Sequence, residues 1–283
     1  MTVLAFTVLV FLGATVAGFL GALTGLGGGV VIVPLLTIFF GVDLRYAVGA
    51  SLVSVIATSS GAAAAYLREG YTNIRIGMFL EIATTLGALS GAWLAALVVP
   101  DALAVVFGAV LLVTALLATR RHPKEAPDAL PDPIAARLRL DGAYTDREGL
   151  RPYHVRRVPL GFALMFVAGG ISGLLGIGSG AFKVLAMDQA MRLPFKVSTT
   201  TSNFMIGVTA AASAGVYLRR GWIEPTIALP VMLGVLLGSM LGAYVLVGAR
   251  VTKLRLLFAL VMIALGVQMI YSGAMGGFGG EAP

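Results

Sequence analysis

Chemistry in this sequence must come from the few polar side chains set inside long apolar stretches. Ser51, Ser54 and Thr58 fall in one such stretch, and Thr200, Thr201, Ser202 and Asn203 open another. Hydroxyls inside membrane helices commonly bond to the backbone one turn earlier. A run of consecutive hydroxyls closed by an amide does more, because it puts neutral donors on every face of a helix start. Such donors replace the hydration of an oxyanion without trapping it as a full charge would. Lys183 and Glu81 are charges within the spans. A charge at the bilayer centre costs about 2.5–3.5 kcal/mol on insertion scales, so each needs a partner. For Lys183 that partner is an anionic substrate, unless the side chain snorkels to the surface. For Glu81, a coupling candidate, it is a coupling proton or Arg75, about a turn and a half earlier.

Two glycine-rich breaks accompany these residues: Gly27, Gly28 and Gly29 in GLGGG, and Gly178, Ser179 and Gly180 in GIGSG. Three or four glycines within five residues destabilise a plain helix, allow positive φ, and let backbone N–H groups approach a ligand. Glycines also let membrane helices pack closely. That is the reading for Gly87, Gly91, Gly238 and Gly242, which recur at four-residue spacing. The expected substrate-binding set is therefore Gly27, Gly28, Gly29, Ser51, Ser54, Thr58, Gly178, Ser179, Gly180, Lys183, Thr200, Thr201, Ser202 and Asn203.

Nothing in the sequence supports catalysis. There is no nucleophile–base pair, and the glycine stretches lack the Lys-Ser/Thr of a phosphate loop. With 0 Cys, disulfides and thiolate metal sites are excluded, and the 2 histidines, His122 and His154, lie in the one long polar stretch. No metal site and no cofactor are expected. The net charge of +7 and the pI near 10.0 do not signal nucleic acid, because the basic residues sit in short loops and one linker rather than on an aromatic-laced patch.

The elements that must position these residues are membrane helices. The chain is 58% hydrophobic and 12% charged, with a mean hydropathy of +0.96, whereas a soluble domain has about a quarter of its residues charged. Alternating ten-residue segments of a barrel are absent. The apolar segments run Val3 to Leu23, Gly28 to Phe40, Ala47 to Leu67, Ile76 to Val99 and Leu103 to Ala118, then Leu160 to Leu175, Gly180 to Met191, Val197 to Leu218, Pro225 to Val247 and Leu254 to Tyr271. The first has no preceding Lys or Arg and no small-residue cleavage site after it, so it reads as a retained helix. The second of each half is too short to cross a core about 30 Å thick and reads as a broken or re-entrant helix.

The halves are a duplication. GFLGALTGLGGGVVIVP from Gly18 returns as GGISGLLGIGSGAFKVL from Gly169, an offset of 151 positions (18 to 169). The same offset aligns Ser51 with Ser202, Thr58 with Thr209, and Tyr66-Leu67-Arg68 with Tyr217-Leu218-Arg219. Lys183 falls on Ile32 and Glu81 on Met232, so the charges are not duplicated.

Lys and Arg asymmetry sets the orientation. If each half crosses an odd number of times, Arg68, Arg75, Arg192, Lys196, Arg250, Lys253, Arg255 and the linker share the cytoplasmic side. Only Arg45, Arg219 and Arg220 are then left outside. An even count removes the bias. The expected architecture is thus an all-α integral membrane protein of two inverted repeats, about five hydrophobic segments each, with the linker cytoplasmic and both termini outside. Residues 1–119 form the first repeat, 120–157 the linker, 158–272 the second repeat and 273–283 a flexible tail. Alternation around Asp-Gly and Glu-Gly in the linker reads as a small strand-turn-strand module, with a disordered linker as the other reading.

GALTGLGGGVVIVPLL, GASLVSVIATSSGAAAAY, SGLLGIGSGAFKVLAM and LPFKVSTTTSNFMIGVTAAASAGVYLRRG resemble the two halves of the TauE/SafE family of sulfite exporters and anion permeases. The resemblance covers both repeats. It implies transport of small sulfur-containing or organic anions such as sulfite or sulfoacetate, with the glycine motifs and the polar starts of the third segments as substrate region. Leu185 stands where the first half has Pro34, a departure in the second broken helix. The expected function is transport of a small anion across the cell's inner membrane by alternating access. Expected partners are the anionic substrate, the lipid bilayer, protons as coupling ion and a second copy of the chain, with no nucleic acid. A scaffold or signalling subunit acting through the linker is the alternative from another class. Polar residues at the centre of both halves favour transport, since a scaffold needs none there.

Overall fold

The computed structural model describes residues 2–24, 29–69, 72–119, 132–146, 149–246 and 251–278. A chain this apolar must satisfy its backbone within its own elements, and it does so with helices. The first half comprises α1 (Val3–Thr24), α2 (Gly29–Pro34) running into a π-helical turn (Leu35–Phe39), α3 (Leu44–Glu69), α4 (Ile74–Leu94) and α5 (Pro100–Thr119). A short α6 (Pro133–Arg137) and a hairpin of β1 (Gly142–Asp146) and β2 (Gly149–Tyr153) follow. The second half comprises α7 (Val158–Leu175), α8 (Gly180–Leu185) with its π-helical turn (Ala186–Ala190), α9 (Phe195–Arg219), α10 (Pro225–Leu246) and α11 (Val251–Ala274). Among the described residues, 5 helices are long and apolar enough to cross a membrane: Val3–Gly21, Ile74–Leu94, Pro100–Leu117, Val158–Leu175 and Pro225–Gly242. α3 and α9 match them in length but carry the hydroxyls.

Element boundaries repeat at the offset of the sequence duplication. Gly29 and Gly180 open the short helices, Leu35 and Ala186 their π turns, Leu44 and Phe195 the third helices, Ile74 and Pro225 the fourth, Pro100 and Val251 the fifth. α3 begins at Leu44, before the expected Ala47, because Asp43 starts its first turn. The Asp43 carbonyl accepts from Ala47 N at 3.0 Å and its carboxylate from Arg45 N at 2.8 Å.

Contacts give the direction of each helix. Phe6, near the start of α1, meets Phe40, just past α2, edge to face at 5.8 Å. α2 therefore returns to the end from which α1 set out. Arg156 N donates to the Met191 carbonyl at 3.1 Å, so α7 and α8 make the same return at the linker end. α1 runs beside α10 in one direction, and α4 beside α7 likewise, through glycine seams. A Cβ on Gly238 would land on the Thr15 carbonyl oxygen and one on Gly234 on that of Phe11; one on Gly87 would meet Phe166 O, and one on Gly173 would meet Ala88 O. Backbones this close are what small residues allow in lipid. α5 and α11 run in opposite directions, with Gly108 against Gly266 and Gly273 against Asp101. α3 and α9 are also antiparallel, for Gly49 lies on Trp222 at one end while Ser59 lies on Gly207 midway. Outer faces keep apolar side chains such as Leu12, Ile82, Leu116, Leu237 and Leu260 exposed, as lipid-facing positions require.

The hairpin pairs Tyr144 with Arg151. Its Tyr144 and Tyr153 join Leu140, Ile76, Val158, Met187, Met191 and Met205 in one buried cluster, so it sits on the linker ends of α4, α7, α8 and α9. Asn73 ties these parts together. Its amide nitrogen donates to Tyr153 Oη at 2.7 Å and to the Leu140 carbonyl at 3.1 Å, its oxygen caps α4 at Ile76 N, 3.1 Å, and its backbone N donates to Thr201 Oγ1 at 3.1 Å.

Candidate functional site

The second glycine break folds as the sequence requires. Gly176 and Gly178 take φ of 68° and 71°, and Ser179 between them and α8 takes 48°, a left-handed sequence that glycine adopts without strain and serine does not. The chain thereby turns from α7 into α8. Gly25, Gly27 and Gly28 of the first break lie outside the described residues; Gly29 is buried at the start of α2.

The two breaks meet. Ser51 Oγ on α3 lies 3.0 Å from the Gly29 carbonyl oxygen and 2.8 Å from that of Gly176 in the other half, and its single proton serves both. At the equivalent position Ser202 Oγ donates to the Gly180 carbonyl at 3.2 Å. Val30, Thr114, Ile177, Ser179, Gly180, Ala181 and Phe182 enclose a cavity of about 10 Å³, close to the room one water needs. Ser179 Oγ, buried, has no hydrogen-bond partner there.

The expected hydroxyls divide by where their protons go. Ser54 donates to the Ser51 carbonyl at 2.7 Å, Thr58 to that of Ser54 at 3.0 Å, and Thr200 to that of Lys196 at 3.0 Å, each a bond within its own helix. Thr201 is held as acceptor for Asn73 N. The half-buried side chain of Asn203 makes no hydrogen bond to another described residue. The buried Oγ atoms of Ser172 and Ser198 and Thr199 Oγ1 are likewise without partners. Ser172 was missed in the sequence because it is a lone hydroxyl without a repeat signature.

Lys183 and Glu81 come together. Lys183, 0% exposed, does not snorkel. Its Nζ donates to Thr209 Oγ1 at 2.5 Å, and Thr209 Oγ1 lies 2.7 Å from Glu81 Oε1. Thr85 Oγ1 adds a bond to the same carboxylate oxygen at 3.2 Å, while Glu81 Oε2 is buried without a partner. An ammonium has three donors, and among the described residues Lys183 uses one. Arg75, the other partner considered for Glu81, donates instead to the Arg139 carbonyl at 3.4 Å. Thr209 is the residue that sequence reasoning paired with Thr58 but left out of the site. Its role comes from lying between α8 and α4, which no local pattern encodes. Among the described residues no group of three or more His, Asp or Glu could hold a metal.

A family model described as sulfite exporter TauE/SafE matches residues 10–269. The chain is 30% identical over 279 residues to the probable membrane transporter protein YunE of Bacillus subtilis, covering 95% of this chain and 99% of the relative. It is 30% identical over 247 residues to YdhB of the same organism, also described as a probable membrane transporter, covering 86% and 88%. A probable membrane transporter protein of Methanocaldococcus jannaschii, MJ0441, is 24% identical over 269 residues, covering 90% and 92%. No solved structure matches the chain.

Proposed function

This chain belongs to the sulfite exporter TauE/SafE family of membrane transporters, and we propose that it carries a small oxyanion, of the sulfite or sulfonate class, through a site where the two glycine breaks meet. The observation that carries this reading is the ammonium of Lys183, wholly buried three residues beyond Gly180 in an apolar molecule, with donors unused among the described residues. Burying such a charge is costly unless a counter-charge comes to it. Glu81 offsets that charge only through Thr209, and an anion would take its place directly at the unused donors. Asn203, the Ser179 hydroxyl and the backbone N–H groups of the break supply neutral donors. The hydroxyls of Ser51, Ser54, Thr58, Thr200 and Ser202 shape the walls by tying down carbonyls, while Gly27 and Gly28 remain substrate-binding candidates from the sequence alone.

Alternating access follows if the repeats are inverted. Support comes from the equivalent helices α3 and α9, which run antiparallel, as do α5 and α11, with two short hairpins that return to opposite ends. Inverted repeats with broken helices place the site between two halves that can rock about it. With the linker cytoplasmic, α6 and the β hairpin cover the inner ends of α4, α7, α8 and α9. The test is anion flux into liposomes containing the purified protein, comparing sulfite, sulfoacetate, sulfate and acetate. Saturable uptake of sulfite or sulfoacetate is expected; no flux of any of the four would overturn the reading.

A further inference from the structure

The arrangement of Lys183, Thr209 and Glu81 points to a mechanism of coupling: we infer that the cluster is a proton-coupled oxyanion site, in which a sulfonate or sulfite anion replaces ionised Glu81 as the counter-charge of Lys183, and Glu81 takes up one proton as it does so. This rests on the anion-transport reading above and adds to it what moves with the anion.

Three helices from both halves build the cluster. Glu81 lies on α4, Lys183 on α8 and Thr209 on α9. One hydroxyl joins the two charges, accepting from Lys183 Nζ at 2.5 Å and lying at donating distance, 2.7 Å, from Glu81 Oε1. With Lys183 and Glu81 both ionised the cluster is neutral. An anion arriving at the free donors of Lys183 would then leave a net negative charge buried, which low-dielectric surroundings oppose. Protonating Glu81 restores neutrality: a hydronium ion of the solvent gives up its proton and becomes water, the carboxylate becomes a carboxylic acid, and Lys183 stays an ammonium held by the anion. Glu81 Oε2, buried and unpartnered, is the oxygen that gains from the change, because as an O–H it becomes a donor. Glu81 sits seven residues into α4, about 10 Å from its start at the linker end, so the proton comes from that end.

Few other charges face the cluster. α7 carries none along Val158–Leu175. α8 and its π turn bring Asp188, buried and with an interaction of its own; α9 brings Lys196 at its start and, with Tyr217, Arg219 at its far end; Arg75 opens α4. Asp101 opens α5 at the end away from the linker. The repeat offset places Ile32, Thr58 and Met232 opposite Lys183, Thr209 and Glu81, and Thr58 donates within its own helix. The molecule therefore has one such cluster among its described residues, and the coupling is one proton for each anion.

The experiment uses methanesulfonate, which stays ionised across the range, so that any pH dependence belongs to the protein. Binding to purified full-length protein is measured from about pH 5 to 7, alongside proton uptake in weak buffer with an indicator dye. The wild type should bind more weakly as pH rises, approaching tenfold per unit, and take up one proton per anion. Glu81→Gln should bind with an affinity independent of pH and take up none. PH-independent binding without proton uptake by the wild type would overturn the coupling, as would proton uptake persisting in Glu81→Gln; sulfite flux in liposomes would still stand. If the wild type does not bind methanesulfonate, the site assignment falls. Loss of flux for all four anions would remove the transport reading with it. Because the wild-type measurement by itself can overturn the coupling, poor folding of the variant does not protect it.

Discussion

The Ser51 hydroxyl of the first half lies 2.8 Å from the Gly176 carbonyl oxygen of the second, with the Gly29 carbonyl of its own half at 3.0 Å. One buried proton thus fastens the two breaks together. Ser51→Ala would remove the hydrogen bond that joins the halves at the Gly176 carbonyl and should cost about 1–3 kcal/mol. Ser54→Ala removes only a bond inside α3 and should cost less. Thermal unfolding of the two variants in detergent checks the order; equal losses would mean that the link between the halves adds nothing.

Lys183→Gln keeps a donor toward Thr209 and removes the charge. Anion affinity should fall roughly 10- to 100-fold, the weight of about 1.5–3 kcal/mol that a charged hydrogen bond carries, while Lys183→Arg keeps part of it. Equilibrium binding on purified protein makes the comparison, and unchanged affinity in Lys183→Gln would remove this residue from the site.

Gly238 and Asn203 should separate packing from binding. A Cβ at Gly238 meets the Thr15 carbonyl, so Gly238→Leu must push α1 and α10 apart and reduce the yield of folded protein severely. Asn203 has no described partner to lose, and Asn203→Ala should weaken anion binding with little change in yield. Gly215→Ala, with nothing within 4 Å of the added carbon, is the neutral control. Yield by size-exclusion chromatography and affinity together report the division; parallel effects in Gly238→Leu and Asn203→Ala would erase it.

The Cys-free chain allows a direct test of sidedness. Ala143, exposed on β1, and Glu224, exposed in the turn before α10, lie at opposite ends of the helices. With the linker inside, Glu224→Cys should react with an impermeant maleimide in whole cells and Ala143→Cys only after lysis. The reverse pattern would invert the orientation.

Asp132 gives the linker a response to acid. Its slight burial raises the carboxyl pKa, but hydrogen bonds from the backbone N–H groups of Ile134, Val158, Ala135 and Arg157 outweigh that and hold it below the ordinary 3.8. A pKa lower in the folded than in the unfolded chain adds stability that is present above the unfolded value and is lost as pH falls through the folded one. Protection of the α6 segment from proteolysis should therefore weaken only below about pH 3.8, and Asp132→Asn should flatten this dependence.

The sequence by itself determined the membrane class, the duplication and nearly all helix positions. Hydrophobicity and the 151-residue offset are local or self-referring signals: the second segment of each half, read as too short to cross, is α2 and α8 with their π turns. Where limits shifted, as at Leu44 and Phe195, the cause is that backbone hydrogen bonding continues past the apolar stretch into polar residues such as Arg45 and Lys196. Glycines at four-residue spacing were legible as packing positions because lipid offers no other reason for them, and Gly87 and Gly238 sit in such seams. The destination of each hydroxyl proton was not legible. Thr58 and Thr209 occupy the same repeat position and both can bond to their own helix, yet only Thr209 lies between a lysine and a glutamate. Internal repetition aligns a residue with its counterpart, which for Lys183 is Ile32. Only the packing of α4, α8 and α9 decides that it reaches Glu81 through Thr209, because burial draws two opposite charges together across three helices.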